Sequence, residues 1–133
     1  MTRTSRYRIE VLTIAAAIHS PLLEYYMVLD SNKIEEIWSK ATEVSGYDSS
    51  RWRKDFAGAW IQREQYGLPT EFGWDIFHLI PMSKGGSNDV DNLLPVHRQN
   101  NLRRANDYPI FHTAITSNGN KNISEDQIWR IEQ

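Results

Sequence analysis

The chain has no cysteine. Disulfides, thiolate nucleophiles and cysteine-based zinc sites are therefore excluded, and the redox compartment is left open. It also lacks a strong charge of either sign. Fifteen Lys and Arg stand against 17 Asp and Glu, a formal net charge of -2. Binding to a polyanion through bulk charge is not expected, and any such contact needs a local basic patch. Long apolar runs are missing too. The longest, Val11 to Ile18, follows Arg3, Arg6 and Arg8 in a faintly signal-like order. Glu10 interrupts the transition and Glu24 the extension, and the run is too short to span a bilayer. It reads as a core-packing helix of a cytoplasmic protein with no membrane attachment. There is no internal repeat and no low-complexity tract.

What is present suits one folded domain. Hydrophobic residues make up 40% and charged residues 24% of 133 positions. The first part reads as helical: residues 7–18, then a helix opened by Pro21 and running to about Leu29. A third helix is expected after Asp30-Ser31, with Asn32 and Glu35 at capping-box spacing. Ile34, Ile37, Trp38, Ala41 and Val44 share its apolar face, and Gly46 stops it. None of these helices carries chemistry, and His19 in its apolar setting reads as a structural histidine.

Beyond Gly46 the chain becomes aromatic and rich in turns. Ala59-Trp60-Ile61-Gln62 and Trp74-Asp75-Ile76-Phe77-His78 read as short strands, with Tyr66-Gly67-Leu68-Pro69 turning between them. Residues 82–91 have loop composition. Leu93-Leu94-Pro95-Val96 reads as a strand and residues 97–105 as a short helix. From Asp107 a loop is expected, then a terminal helix opened by Ser124 with Glu125 and Asp126 in its first turn. Basic residues gather in two runs, Arg51, Arg53 and Lys54, and Arg98, Arg103 and Arg104. The first serves equally well as a solvated face.

Strand, glycine-bearing loop, strand and helix form a unit able to set a histidine opposite a cation. Hydrolysis of a phosphodiester needs a base to activate water and a positive charge for the leaving oxygen. His78 is the base candidate, since imidazole titrates near neutrality. Asn101 offers an amide oxygen suited to a hard divalent ion. Asn92, at the end of the loop, is placed to fix the loop backbone through its amide and so orient the base.

The segment Gly73-Trp74-Asp75-Ile76-Phe77-His78-Leu79-Ile80-Pro81-Met82-Ser83-Lys84-Gly85-Gly86, with Asp91-Asn92-Leu93 and Asn100-Asn101, resembles the HNH endonuclease family. Gly58-Ala59-Trp60-Ile61, Tyr66-Gly67, Asp107-Tyr108-Pro109 and residues 116–122 resemble a bacterial subgroup of it. The resemblance covers about residues 34–122. It implies a ββα-metal core in 34–133; with the N-terminal helices of residues 1–33, which look particular to this chain, the expected fold is α+β. It further implies metal-dependent hydrolysis of DNA with Mg²⁺ or Mn²⁺. His78 becomes the general base, Asn92 the structural asparagine and Asn101 a metal ligand. Arg103, Arg104 and Lys84 become DNA contacts, Arg104 standing where the family commonly has lysine.

Two departures from that pattern bear on the chemistry. The family places Asp, His or Glu directly before the base histidine as a metal ligand, and this chain has Phe77. Where the subgroup has Lys-Gly-Asp, it reads Arg104-Ala105-Asn106. Asp75 is the substitute ligand within reach of the motif. It shares a strand face with Phe77, so a bulge or a bridging water would have to bring it to the ion. The subgroup's frequent Glu at this position implies a supporting role instead. His97 and His112 read as helix-start or surface residues. Phe77 is expected to pack against Trp74, Trp60 or the N-terminal helices; an exposed ring would instead suit stacking on a base. Two functions follow: an HNH endonuclease with activity retained or reduced, and a degenerate relative kept to bind DNA or a protein partner.

Overall fold

The computed structural model describes residues 31–105 and 107–132. The helices expected at 7–18 and 21–29, and His19, lie outside the described residues. The chain divides into two compact units, Met1–Glu36 and Ile37–Gln133. Residues 31–38 are helical (α1), the only described helix of seven residues or more. Asn32 therefore lies inside the helix rather than capping it, and the helix stops at Trp38, well before Gly46. Ile37, Trp38 and Ala41 are buried, as their spacing requires, but Ala41 and Val44 follow the helix as irregular chain.

The second unit consists of three separate antiparallel pairs. β1 (Trp52–Lys54) pairs with β2 (Trp60–Gln62), and β3 (Trp74–His78) with β4 (Leu93–His97). β5 (Ile110–Asn118) pairs with β6 (Lys121–Arg130). The six-residue helix α2 (Arg98–Arg103) follows β4 directly. The α+β expectation of a ββα-metal core behind N-terminal helices is thus corrected. The described protein is mostly small antiparallel sheets, and α2 packs chiefly on β5. The ββα expectation fails because the helix is short and its one buried residue, Asn100, is committed to β5 and to the segment before β2.

The second correction concerns the C-terminal part. No helix starts at Ser124; residues 121–130 are a strand. Phe111, Thr113 and Ile115 are buried in alternation, the period of a half-buried strand. Asn118 pairs with Lys121 across a two-residue turn, Gly119-Asn120, in which Gly119 takes φ 65°. An alternating strand joined to such a turn outweighs the acidic run at Ser124–Asp126.

β3 has packing on both faces. Trp74 points one way, against Trp38 at 5.3 Å between ring centres, and Phe77 points the other. Phe77, Val96 and Phe111 form a core cluster bordered by Phe56, Leu79, Leu94, Trp129 and Ile131. This cluster joins the β3–β4 pair to the β5–β6 hairpin. It fixes the end of β3 where His78 sits.

Candidate functional site

His78 closes β3 opposite Leu93 and is half-buried. Its Nε2 lies 2.7 Å from the side-chain oxygen of Asn88. In the tautomer that donates from Nε2 to this oxygen, the lone pair is on Nδ1. The loop after His78 is held from inside. Asn92, buried at the end of a 3-10 turn, accepts from Ile80 N at 2.9 Å. Its amide nitrogen donates to Ile80 O at 3.0 Å and Ser87 O at 2.8 Å. Gly86 is needed for this closure, because a Cβ there would lie 1.7 Å from Ile80 O and 3.0 Å from the Asn92 amide nitrogen. Removing the brace has a measurable consequence. Asn92→Ala is expected to lose about 2 kcal/mol of stability in urea unfolding, since it deletes three hydrogen bonds in a partly buried loop.

Arg104 reaches the same place from the end of α2. It donates to His78 O and, at 2.8 Å, to Leu79 O, while its guanidinium lies 4.2 Å from the centre of the Phe77 ring. Burial pulls its pKa below the usual arginine value. Arginine nonetheless stays protonated in proteins. Two of its five N–H donors serve carbonyls, leaving others for an anion. Asn101 precedes Arg104 by three positions and so leaves the same side of the helix. It is half-exposed.

The structure turns Asp75 and Arg103 away from this point. Asp75 turns toward the start of α2, where its carboxylate lies 4.0 Å from Arg98. Burial pushes its carboxyl above the ordinary range, while Arg98 and then His97 pull it down. Arg103 is exposed and reaches Asp126 on β6 at 3.9 Å. Lys84 is exposed on the 3-10 turn Met82–Lys84. His97 has both ring nitrogens engaged, Nδ1 accepting from Gln99 N at 3.1 Å and Nε2 meeting Glu71 O at 2.7 Å. In the first basic run, Arg53 is structural: it donates to Ser49 O at 2.8 Å, Ser39 O at 3.1 Å and Ala41 O at 3.0 Å. Asn106 lies outside the described residues.

Phe77 is 1% exposed and cannot stack on a base. Its neighbours are Phe56 and Phe111, at 5.7 and 5.2 Å between ring centres, not Trp74 or Trp60. No group of three or more His, Asp or Glu side chains gathers to hold an ion among the described residues. The position that should supply an anionic ligand lies in the core instead. The residues present therefore do not fit the divalent-ion site that the resemblance implies.

Sequence reasoning passed over Asp55 and Asn100. Asp55 is 2% exposed and accepts four hydrogen bonds. Its Oδ1 takes Ala57 N and Ala59 N, and its Oδ2 takes His97 N and the Asn100 amide. Asn100, beside the conjectured ligand Asn101, uses its remaining valences on β5: it accepts from Ala114 N and Ile115 N and donates to Ile115 O. No signal in the sequence separates Asn100 from Asn101.

No protein-family model, curated protein or solved structure matches the chain. None of the described helices is long and apolar enough to cross a membrane.

Proposed function

We propose that this is an HNH endonuclease-like protein that engages DNA phosphodiesters at His78 and Arg104, with metal-dependent hydrolysis reduced or lost. The observation that carries the proposal is the knot around the end of β3. Asn92 fixes the loop behind His78, and Arg104 grips the His78 and Leu79 carbonyls. An imidazole at the strand end can take a proton from water, and the Arg104 guanidinium, tied to the backbone carbonyls of His78 and Leu79, keeps spare donors for a phosphate. Reduced hydrolysis follows from Phe77, whose ring occupies core space where the chemistry wants a carboxylate. The reading places the protein in the cytoplasm, in contact with DNA.

Nicking of supercoiled plasmid in Mg²⁺ or Mn²⁺, with a chelator control, tests the proposal. The native chain is expected to bind the plasmid with affinity falling as salt rises, and to nick it slowly or not at all. Arg104→Ala is expected to weaken binding roughly tenfold, within the range for a charge-assisted contact. Nicking that needs the metal and vanishes in His78→Ala would restore the full enzyme. Absence of plasmid binding even at low salt would sink the DNA reading. The protein-partner alternative, favoured by the missing ligand, would then lead.

A further inference from the structure

A second surface feature lies near the opposite end of β3. Tyr47, Trp52, Trp60, Phe72 and Asn120 line an open cleft of about 240 Å³. Trp52 stands edge-on to both Trp60 and Phe72, at 87° and 84°, with centres 6.3 and 5.0 Å away. Tyr47 closes the corner 4.6 Å from Trp60 and is 44% exposed. Three distant segments build this arrangement. The hairpin turn of β5–β6 is tied to β2 by Trp60 Nε1 donating to Gly119 O at 2.8 Å. Trp60 N also donates to Asn122 Oδ1 at 2.7 Å.

Rings set at right angles make a box for a flat or cationic ligand. Local charge chooses between them. Lys54 Nζ lies 4.9 Å from the centre of the Trp60 ring, and exposed Lys121 adjoins Asn120. Asp48 adjoins Tyr47, but its Oδ1 accepts from Ser50 N and Oγ at 3.0 and 2.7 Å. The cation–π position on Trp60 is thus already taken by the protein, and a second cation would be repelled. The cleft is smaller than the roughly 300–1,000 Å³ of drug-sized sites, which suits one ring system. We propose that the cleft of Tyr47, Trp52, Trp60 and Phe72 binds an unpaired nucleobase of single-stranded nucleic acid. Asn120 meets the base edge, and Lys54 and Lys121 lie on the side of the phosphates. The choice of ligand rests on the DNA reading above. Its place does not, since β3 separates cleft and His78 by about 13 Å of strand.

Titration of the full chain with oligo(dT), followed by tryptophan fluorescence, tests this. Stacking on Trp52 and Tyr47 is expected to quench the tryptophan emission. Tyr47→Ala, which truncates an exposed ring, is expected to weaken binding about tenfold, and Tyr47→Phe to restore it. Unchanged affinity in Tyr47→Ala, or quenching by tetramethylammonium but not oligo(dT), would overturn the proposal. The two readings fail separately. Plasmid binding without oligo(dT) quenching removes the cleft alone, and oligo(dT) quenching without plasmid binding removes only the site at His78.

Discussion

Phe77→Asp is expected to destabilise the protein by at least about 4 kcal/mol. Truncating a buried phenylalanine costs roughly 3–5 kcal/mol through lost burial and the cavity left behind. A carboxylate in the same space adds a desolvation cost unless it is paired. Phe77 is in contact with Phe56, Phe111 and Val96, none of which can bond to a carboxylate. The one offset is the Arg104 guanidinium, 4.2 Å from the ring centre. It recovers part of the cost, and only by giving up its place at the His78 and Leu79 carbonyls. Against a total stability of about 5–15 kcal/mol, the net loss is a large fraction. Urea unfolding followed by circular dichroism checks it, with Phe77→Leu as the mild control. A shift below about 1 kcal/mol would show that the ring is not part of the core. Restoring the family's ligand is consequently no simple repair of activity: a carboxylate at 77 needs a different core beneath it.

The second large effect belongs to Asp55. Asp55→Ala leaves four donors without an acceptor: Ala57 N, Ala59 N, His97 N and the Asn100 amide. Each orphaned buried donor costs roughly 1–3 kcal/mol, so a loss of about 4 kcal/mol or more is expected in thermal or urea unfolding. Asp55→Asn retains one acceptor oxygen and sets an NH₂ against donors, and is expected to fall between the two. The pH dependence separates charge from geometry. Burial pushes the Asp55 carboxyl above its ordinary range, against the pull of the bonds from His97 N, Asn100 and Ala59 N. A carboxyl raised in the folded state binds more protons folded than unfolded. Its contribution is full below the unfolded value, about 3.9, and declines as pH rises through the folded one. The stability gap between the native chain and Asp55→Asn should therefore narrow as pH is raised above about 4. A gap that widens with pH would mean that the four donors hold the carboxylate charged more strongly than burial opposes it.

Local features of the chain decide a good deal by themselves. Short apolar and aromatic runs between turns mark β3 and β4, and the loop between them carries its glycines where Gly86 must pass close to Ile80 O. The asparagine that ends the loop can be picked out because an amide is the side chain able to satisfy a backbone N–H and C=O together. The β5–β6 hairpin has its own local signal, the turn pair Gly119-Asn120 after alternating buried residues, and that signal outranks the acidic helix start at Ser124.

Other decisions belong to the tertiary structure alone, and the reason is physical. Helix periodicity tells which residues share a face, not what that face meets. It cannot separate Asn100, sealed against Asp55 and β5, from Asn101, left half-exposed. The acceptor that commits Asn100 lies 45 positions earlier in the chain. Phe77 reads as an apolar residue anywhere, but whether its ring faces a cleft or the core depends on Phe56 and Phe111 arriving from two other segments. The aromatic cleft follows the same rule, since Tyr47, Trp52, Phe72 and Asn120 have no pattern in common until the hairpin turn docks on Trp60. The sequence by itself determined the short strands around His78 and the loop that Asn92 closes, because those depend on neighbours. Which side chains remain available for chemistry was decided only by packing between segments far apart in the chain.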